Sequence, residues 1–270
     1  MLECRVVCES VIEEGPSEDA HVVQMHEAVP FMAVVDGHGR ECNADGRRLE
    51  HSVEVRNFAV SIAKTLSDLF ARDQNPNALS EMFEEAHRRI DHWKDHLVSL
   101  SAPGVSSLGA SVSAVATVGN QIHLAQVGDC RLYKLDQRGL HRLTLDHHPD
   151  HPSEVQRLRG FVERGEITLR FKRGVSRLYR SGFPFGLMLT RSFGDWVYGD
   201  ALAHVPEVQE FPLDPQATYA LCSDGGAEIV EASYCQGELC HADLESLERV
   251  LSAEAAWPED DVTIVLFRQR

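Results

Sequence analysis

Val34-Val35-Asp36-Gly37-His38-Gly39 ends the apolar run Phe31-Met32-Ala33 with an acid, two glycines and a histidine. The apolar run reads as a buried strand. An acid at the end of such a strand is placed to hold a metal. Glycine lets a metal or ligand approach the backbone closely, and histidine exchanges a proton near neutral pH. Alone, the tetrad is equally a simple turn. Its meaning rests on whether other acids occupy other strand ends.

On either side of this stretch, residues 3–12 and 21–35 read as strands, separated by the turn-like Glu13-Glu14-Gly15-Pro16-Ser17. Val55, Phe58, Ala59, Ile62, Ala63, Leu66, Leu69 and Phe70 then recur at helical spacing. Leu79, Met82, Phe83, Ala86, Ile90, Trp93 and Leu97 form a second stripe. Asn75-Pro76-Asn77 parts the two, which predicts an antiparallel helix pair. Strands at 109–118 and 121–127 flank a tight turn at Gly119-Asn120, and Gly128-Asp129 turns into a strand at 131–135. Residues 146–184 read as a polar, basic, irregular flap inserted between core strands. Strands at 217–222 and 262–267 follow, with a helix at 244–253 between them. There is no internal repeat and no low-complexity linker. This order predicts an α+β fold, antiparallel sheet packed by helices, as one domain over 1–270.

The chain of 270 residues is long enough to bury a large core, and its 43% hydrophobic and 25% charged residues are ordinary for a soluble globular protein. No apolar run reaches membrane-span length. Met1-Leu2-Glu3-Cys4-Arg5 lacks the pattern of a signal peptide. Seven scattered cysteines, none spaced C-x-x-C, read as free thiols in a cytoplasmic or nuclear setting. A net charge of −16 disfavours nucleic acid and favours divalent cations. No membrane association is expected, and the short termini make a monomer the expected state.

Acids recur at strand ends. Asp129 follows an apolar run, Asp224 follows Tyr-Ala-Leu-Cys-Ser, Asp260-Asp261 precedes Val-Thr-Ile-Val-Leu-Phe, and Glu18-Asp19 precedes Ala-His-Val-Val. Any one of them is more simply a turn former. Converging, with Asp36, they would make an all-oxygen cage of the kind that Mg²⁺ and Mn²⁺ prefer.

At this point the sequence resembles the metal-dependent protein phosphatases of the protein phosphatase 2C type. The matching segments are Ser17-Glu18-Asp19-Ala20, Val35-Asp36-Gly37-His38-Gly39, Gly109-Ala110-Ser111-Val112-Ser113-Ala114, Val127-Gly128-Asp129-Cys130-Arg131, Leu143-Thr144-Leu145-Asp146-His147, Thr190-Arg191-Ser192-Phe193-Gly194-Asp195, Cys222-Ser223-Asp224-Gly225 and Asp260-Asp261-Val262-Thr263, in the family's order. The resemblance implies a four-layer α-β-β-α sandwich, two antiparallel sheets flanked by antiparallel helix pairs. It implies hydrolysis of phosphoserine and phosphothreonine in phosphoprotein substrates by direct attack of a water bridging two Mg²⁺ or Mn²⁺ ions. By similarity, Asp36 bridges the ions, Glu18 and the Gly37 carbonyl serve one, and Asp224 and Asp260 serve the other. Asp19 lies just behind, Asp129 matches a third, weaker ion shared with Asp224, and His38 is the general acid.

Besides Arg40 in place of the glycine usual after Asp-Gly-His-Gly and the mildly changed run Gly109-Ala110-Ser111-Val112, two departures bear on function. Glu14 stands where the family often has a phosphate-clamping arginine, which points to Arg40 or Arg5 as the replacement. Ser223-Asp224-Gly225-Gly226-Ala227 lacks the bulky residue usual after Asp-Gly, which predicts looser packing there. Both departures favour an alternative, a pseudophosphatase serving as a binding module. A metal-dependent nuclease ranks third. Asp146-His147-His148-Pro149-Asp150-His151 is too tightly spaced for a zinc site and reads as surface loop. His87, His92 and His96 read as an exposed helix face. Arg170, Lys172, Arg173, Arg177 and Arg180 are either a solvated face or a docking site for acidic or phosphorylated substrate.

Overall fold

The apolar run at 31–35 is continuous because both faces of its strand are buried. Phe31, Ala33 and Val35 pack with Phe58, Ile62 and Leu66 of a helix. Met32 and Val34 pack with Leu132, Leu221 and Val265 of a second sheet. Side chains alternate along a strand, so a strand between two layers needs an apolar residue at every position. The structure, a computed structural model, describes residues 2–10, 17–26, 28–42, 48–49, 53–95, 106–172, 174–183, 185–239, 243–255 and 260–269. Expected features at 11–16, His96, Leu97 and Arg173 lie outside the described residues.

The elements are β1 (Leu2–Glu9), β2 (Ala20–Gln24), β3 (Phe31–Cys42), β4 (Arg48–Leu49), α1 (Val53–Asp73), α2 (Leu79–Arg89), β5 (Ser106–Val118), β6 (Gln121–Val127), β7 (Arg131–Asp136), β8 (Gly139–Arg142), α3 (Pro152–Glu163), β9 (Ile167–Lys172), β10 (Val175–Arg180), β11 (Gly186–Leu187), β12 (Phe193–Gly194), β13 (Glu207–Pro212), β14 (Thr218–Cys222), α4 (Asp224–Cys235), α5 (Leu244–Glu254) and β15 (Val262–Gln269). One sheet has the order β1-β15-β14-β7-β8, and the other β13-β6-β5-β3-β2, with β12 on β5 and β4 on β3. The described strand pairs within both sheets are antiparallel.

Three apolar clusters order the layers. The first lies between α1, α2 and the sheet of β3 and β5. The second lies between the two sheets. The third lies between β1, β14, β15 and the helices α4 and α5. The mixed fold with antiparallel sheets is therefore as expected. Several elements go beyond the sequence expectation: β13, β12 and α4, and the break of 21–35 into two paired strands, β2 and β3. The second helical stripe is also interrupted, since α2 ends at Arg89 and helix resumes at 92–95.

The flap is not irregular. It contains α3 and a three-stranded sheet, β11-β10-β9. Leu158, Ile167, Leu178, Phe183, Tyr198, Ala201 and Leu202 give it an apolar core reaching past residue 184. Buried Glu154 ties α3 to the returning chain, accepting from Arg157 at 2.9 Å and from Arg191 at 2.5 Å. Among the described residues no helix is long and apolar enough to cross a membrane.

Candidate active site

The tetrad is not at a strand end. β3 runs through it to Cys42, with Asp36 opposite Ser111, Gly37 opposite Ala110 and His38 opposite Gly109. Alternation then assigns directions. Asp36 and His38 share the face of Met32 and Val34, between the two sheets. Gly37 faces α1, where an added Cβ would come within 2.6 Å of the Glu18 carbonyl and 3.0 Å of Val55. A side chain there would push β3 away from both the helix and the Glu18 segment.

Glu18, Asp129, Asp224 and Asp260 meet Asp36 around one cavity of about 270 Å³, together with Gly37 and His38. Each arrives by a traceable route. The Glu18 N–H donates to Asp261 Oδ2 at 2.5 Å, which joins the start of β2 to the start of β15. Ser223 caps α4 through its Oγ, with Gly226 N as donor at 3.4 Å. This sets Asp224 in the first turn of α4, its N–H 3.4 Å from Asp36 Oδ2. The glycines that follow pack tightly rather than loosely. A Cβ on Gly226 would lie 2.5 Å from the Thr263 carbonyl, and one on Gly225 would overlap the Asp261 carbonyl. Glycine is what lets the start of α4 sit against β15.

This gathering is electrostatically costly. Burial, then Asp224 and Asp19, push the Asp36 carboxyl well above its ordinary value. Burial raises Asp19 likewise. Burial, with Asp129 and Asp260, lifts Asp224 to about 6. Among the described residues no three His, Cys, Asp or Glu side chains form a ready-made metal cluster. The donor set nonetheless fits hard divalent cations. It is all oxygen and mutually repelling, and Asp19 Oδ2 is buried without a hydrogen-bond partner.

Asp129 is held differently from the other acids. Ser111 Oγ donates to Oδ1 at 2.7 Å, and His148 Nε2 lies 3.3 Å from Oδ2. Burial opposes its charge, yet these two partners prevail and keep its carboxyl below the usual range. The segment 146–151 is therefore not simply surface loop. His147 is buried, and its Nδ1 accepts from the Gly128 N–H at 3.0 Å.

Asp195 lies within a matched segment, yet nothing in its sequence surroundings assigns it a role. His38 Nε2 lies 2.7 Å from Asp195 Oδ2, and Ser192 Oγ donates to the same oxygen at 2.7 Å. Burial disfavours imidazolium, but the Asp195 carboxylate outweighs it and holds the His38 pKa above the ordinary value. Asp195 has a left-handed backbone, φ 47° and ψ 33°, an uncommon state for a residue with a side chain and one seen most where function requires it. β12 pairs with β5, Gly194 opposite Gly109, and brings Asp195 to His38. Gly109 leaves the room: a Cβ there would overlap both Asp195 Oδ2 and His38 Nε2. Gly109→Ala is expected to destabilise the fold by about 1–3 kcal/mol and to separate the pair. Thermal denaturation with a histidine pH titration by NMR checks this. An unchanged melting temperature and an unchanged His38 titration would contradict it.

The candidate phosphate ligands separate. Arg5 pairs with Glu248 of α5 at 3.5 Å and is not among the residues lining the cavity. Arg40 continues β3 opposite Ser107, and its side chain lies outside the described residues, as does Glu14. Arg177 of the flap does line the cavity.

A family model described as Protein phosphatase 2C matches residues 5–232. The chain is 25% identical over 274 residues to "Probable protein phosphatase 2C 74" of Oryza sativa subsp. japonica, covering 94% of this chain and 61% of that protein. It spans 57% of a second rice relative, "Probable protein phosphatase 2C 44". Among solved structures, serine-threonine phosphatase 2C from Toxoplasma gondii aligns with a TM-score of 0.69 at 16% identity, over 98% of this chain and 94% of that one. At that identity the likeness is one of fold.

Proposed function

The chain belongs to the protein phosphatase 2C family, and on that footing we propose that it hydrolyses phosphoserine and phosphothreonine in proteins, as one catalytic domain dependent on Mg²⁺ or Mn²⁺. The observation that carries this reading is the shared cavity. Five carboxylates, Glu18, Asp36, Asp129, Asp224 and Asp260, face a histidine that Asp195 keeps ready to hold a proton.

Asp36, Glu18, the Gly37 carbonyl, Asp224 and Asp260 would hold the two ions, Asp36 serving both, with Asp19 close by, and Asp129 would hold a weaker third ion with Asp224. Bound there, the ions would neutralise phosphoryl oxygens and acidify a water for direct displacement. The seryl oxygen leaves as a strongly basic alkoxide, so the P–O bond breaks readily only if a proton arrives with it. With Nε2–H directed at Asp195, His38 has Nδ1–H to give. The free thiols of Cys4, Cys8, Cys130, Cys222 and Cys235 suit a reducing compartment.

The binding-module alternative loses one of its two supports, because the glycines of the Asp224 loop are tightly packed; the other, Glu14, lies outside the described residues. p-Nitrophenyl phosphate and a phosphoserine peptide should both be turned over with Mn²⁺ and neither after chelation. Folded, Mn²⁺-loaded protein that turns over neither substrate would return the reading to a binding module.

A further inference from the structure

The cavity has two walls of unequal charge. The sandwich supplies Glu18, Asp36, Asp129, Asp224 and Asp260, and the flap supplies one guanidinium, Arg177. Arg177 is the only Lys or Arg lining the cavity among the described residues. A phosphate monoester entering this space meets five carboxylates on the sandwich wall. Cations bound to those acids would face the dianion from one direction only, so a positive group on the opposite wall has a clear electrostatic purpose.

The fold of the flap creates that position. In β10, Leu178 turns into the flap core with Leu158 and Ile167, which leaves Arg177 on the other face. Arg177 Nη1 donates to the Gly186 carbonyl at 3.2 Å, holding the side chain along β11, itself part of the cavity wall. Gly186 admits this arrangement because a Cβ there would overlap the Tyr179 ring. Several other arginines in and beside the flap are engaged elsewhere: Arg157 and Arg191 bind Glu154, Arg164 binds Glu166, Arg170 stacks on Tyr179 at 4.9 Å, and Arg180 donates to the Val197 carbonyl. Arg177 has no carboxylate partner among the described residues, so most of its donors are uncommitted. A planar guanidinium matches two phosphoryl oxygens at once.

We propose that Arg177, reaching in from the flap, binds the phosphoryl group of the substrate, the task left open by Glu14. This rests on the phosphatase reading. The phosphate of a small aryl ester and of a phosphopeptide is the same group, so a clamp affects both equally. A docking surface for protein would affect the peptide alone.

The test uses the full chain with Mg²⁺, with binding of inorganic phosphate followed by phosphorus NMR and KM measured for p-nitrophenyl phosphate and a phosphoserine peptide. Arg177→Gln keeps an N–H for the Gly186 carbonyl but loses the charge, and Arg177→Lys keeps the charge. Gln is expected to weaken phosphate binding and raise both KM values about 10- to 100-fold, the scale of one charge-assisted contact, with Lys recovering part. Two results in the variants would overturn the proposal: wild-type binding and KM in Arg177→Gln, whether or not Arg40→Ala shows the loss instead, or a loss confined to the peptide. Wild-type protein that binds phosphate through Arg177 without turnover would keep the clamp and sink the phosphatase reading. Wild-type protein that binds no phosphate would sink the clamp.

Discussion

Asp36→Asn should lower turnover by about a thousandfold or more, the scale of losing several kcal/mol of charge stabilisation around a phosphoryl group, and should remove the thermal stabilisation that Mn²⁺ confers on the wild-type protein. A site saturated a hundredfold above its dissociation constant adds about 2.7 kcal/mol to stability, which differential scanning measurements resolve easily. The same substitution should leave the metal-free protein at least as stable as wild type. Burial and the neighbouring acids raise the Asp36 and Asp224 carboxyls, Asp224 to about 6. A carboxyl raised on folding contributes stability that is present below its unfolded value near 4 and is lost as pH rises through its folded value. Metal-free wild type should therefore lose stability between roughly pH 4 and 6 and beyond from these groups. Asn removes part of that loss, and Mn²⁺ should flatten it in wild type. A metal-free Asp36→Asn protein that melts well below wild type at pH 8, or one still stabilised by Mn²⁺ to the full extent, would count against the assignment.

His38→Gln should cost about 10²- to 10⁴-fold on a phosphoserine peptide, the usual range for a positioned proton donor, and far less on p-nitrophenyl phosphate. Nitrophenolate leaves without a proton and a seryl alkoxide does not. Asp195→Asn should resemble it with a pH signature of its own. Asp195 is what lifts His38 against the opposing effect of burial. Without the carboxylate, burial prevails, the histidine loses its proton at lower pH, and the alkaline limb of the peptide profile moves down. The deficit should thus be larger at pH 8 than at pH 6. Equal losses on both substrates at both pH values would assign Asp195 to folding alone.

Much of this site is legible in the sequence. Asp36, Gly37, His38, Glu18, Asp129, Asp224 and Asp260 stand beside apolar runs, and they share one cavity. Asp195 is not legible in the same way, because its neighbours Gly194 and Trp196 carry no strand signal and its partner is 157 residues away. The flap reads as irregular although it is ordered, because β9 and β10 are short, rich in arginine and buried on one side only.

What the chain itself determined was periodicity. The apolar run at 31–35 required a strand covered on both sides, and that same alternation sent Asp36 and His38 between the sheets with Gly37 against α1. Such directions are local, since they follow from two residues per strand repeat. Tertiary pairing decided which groups meet them. Gly194 opposite Gly109 brings Asp195 to His38, and the hairpin of β9 and β10 aims Arg177 at the opposite wall. Those contacts depend on register between segments far apart in the chain. No local pattern encodes register across such distances, because it is set by the packing of whole layers.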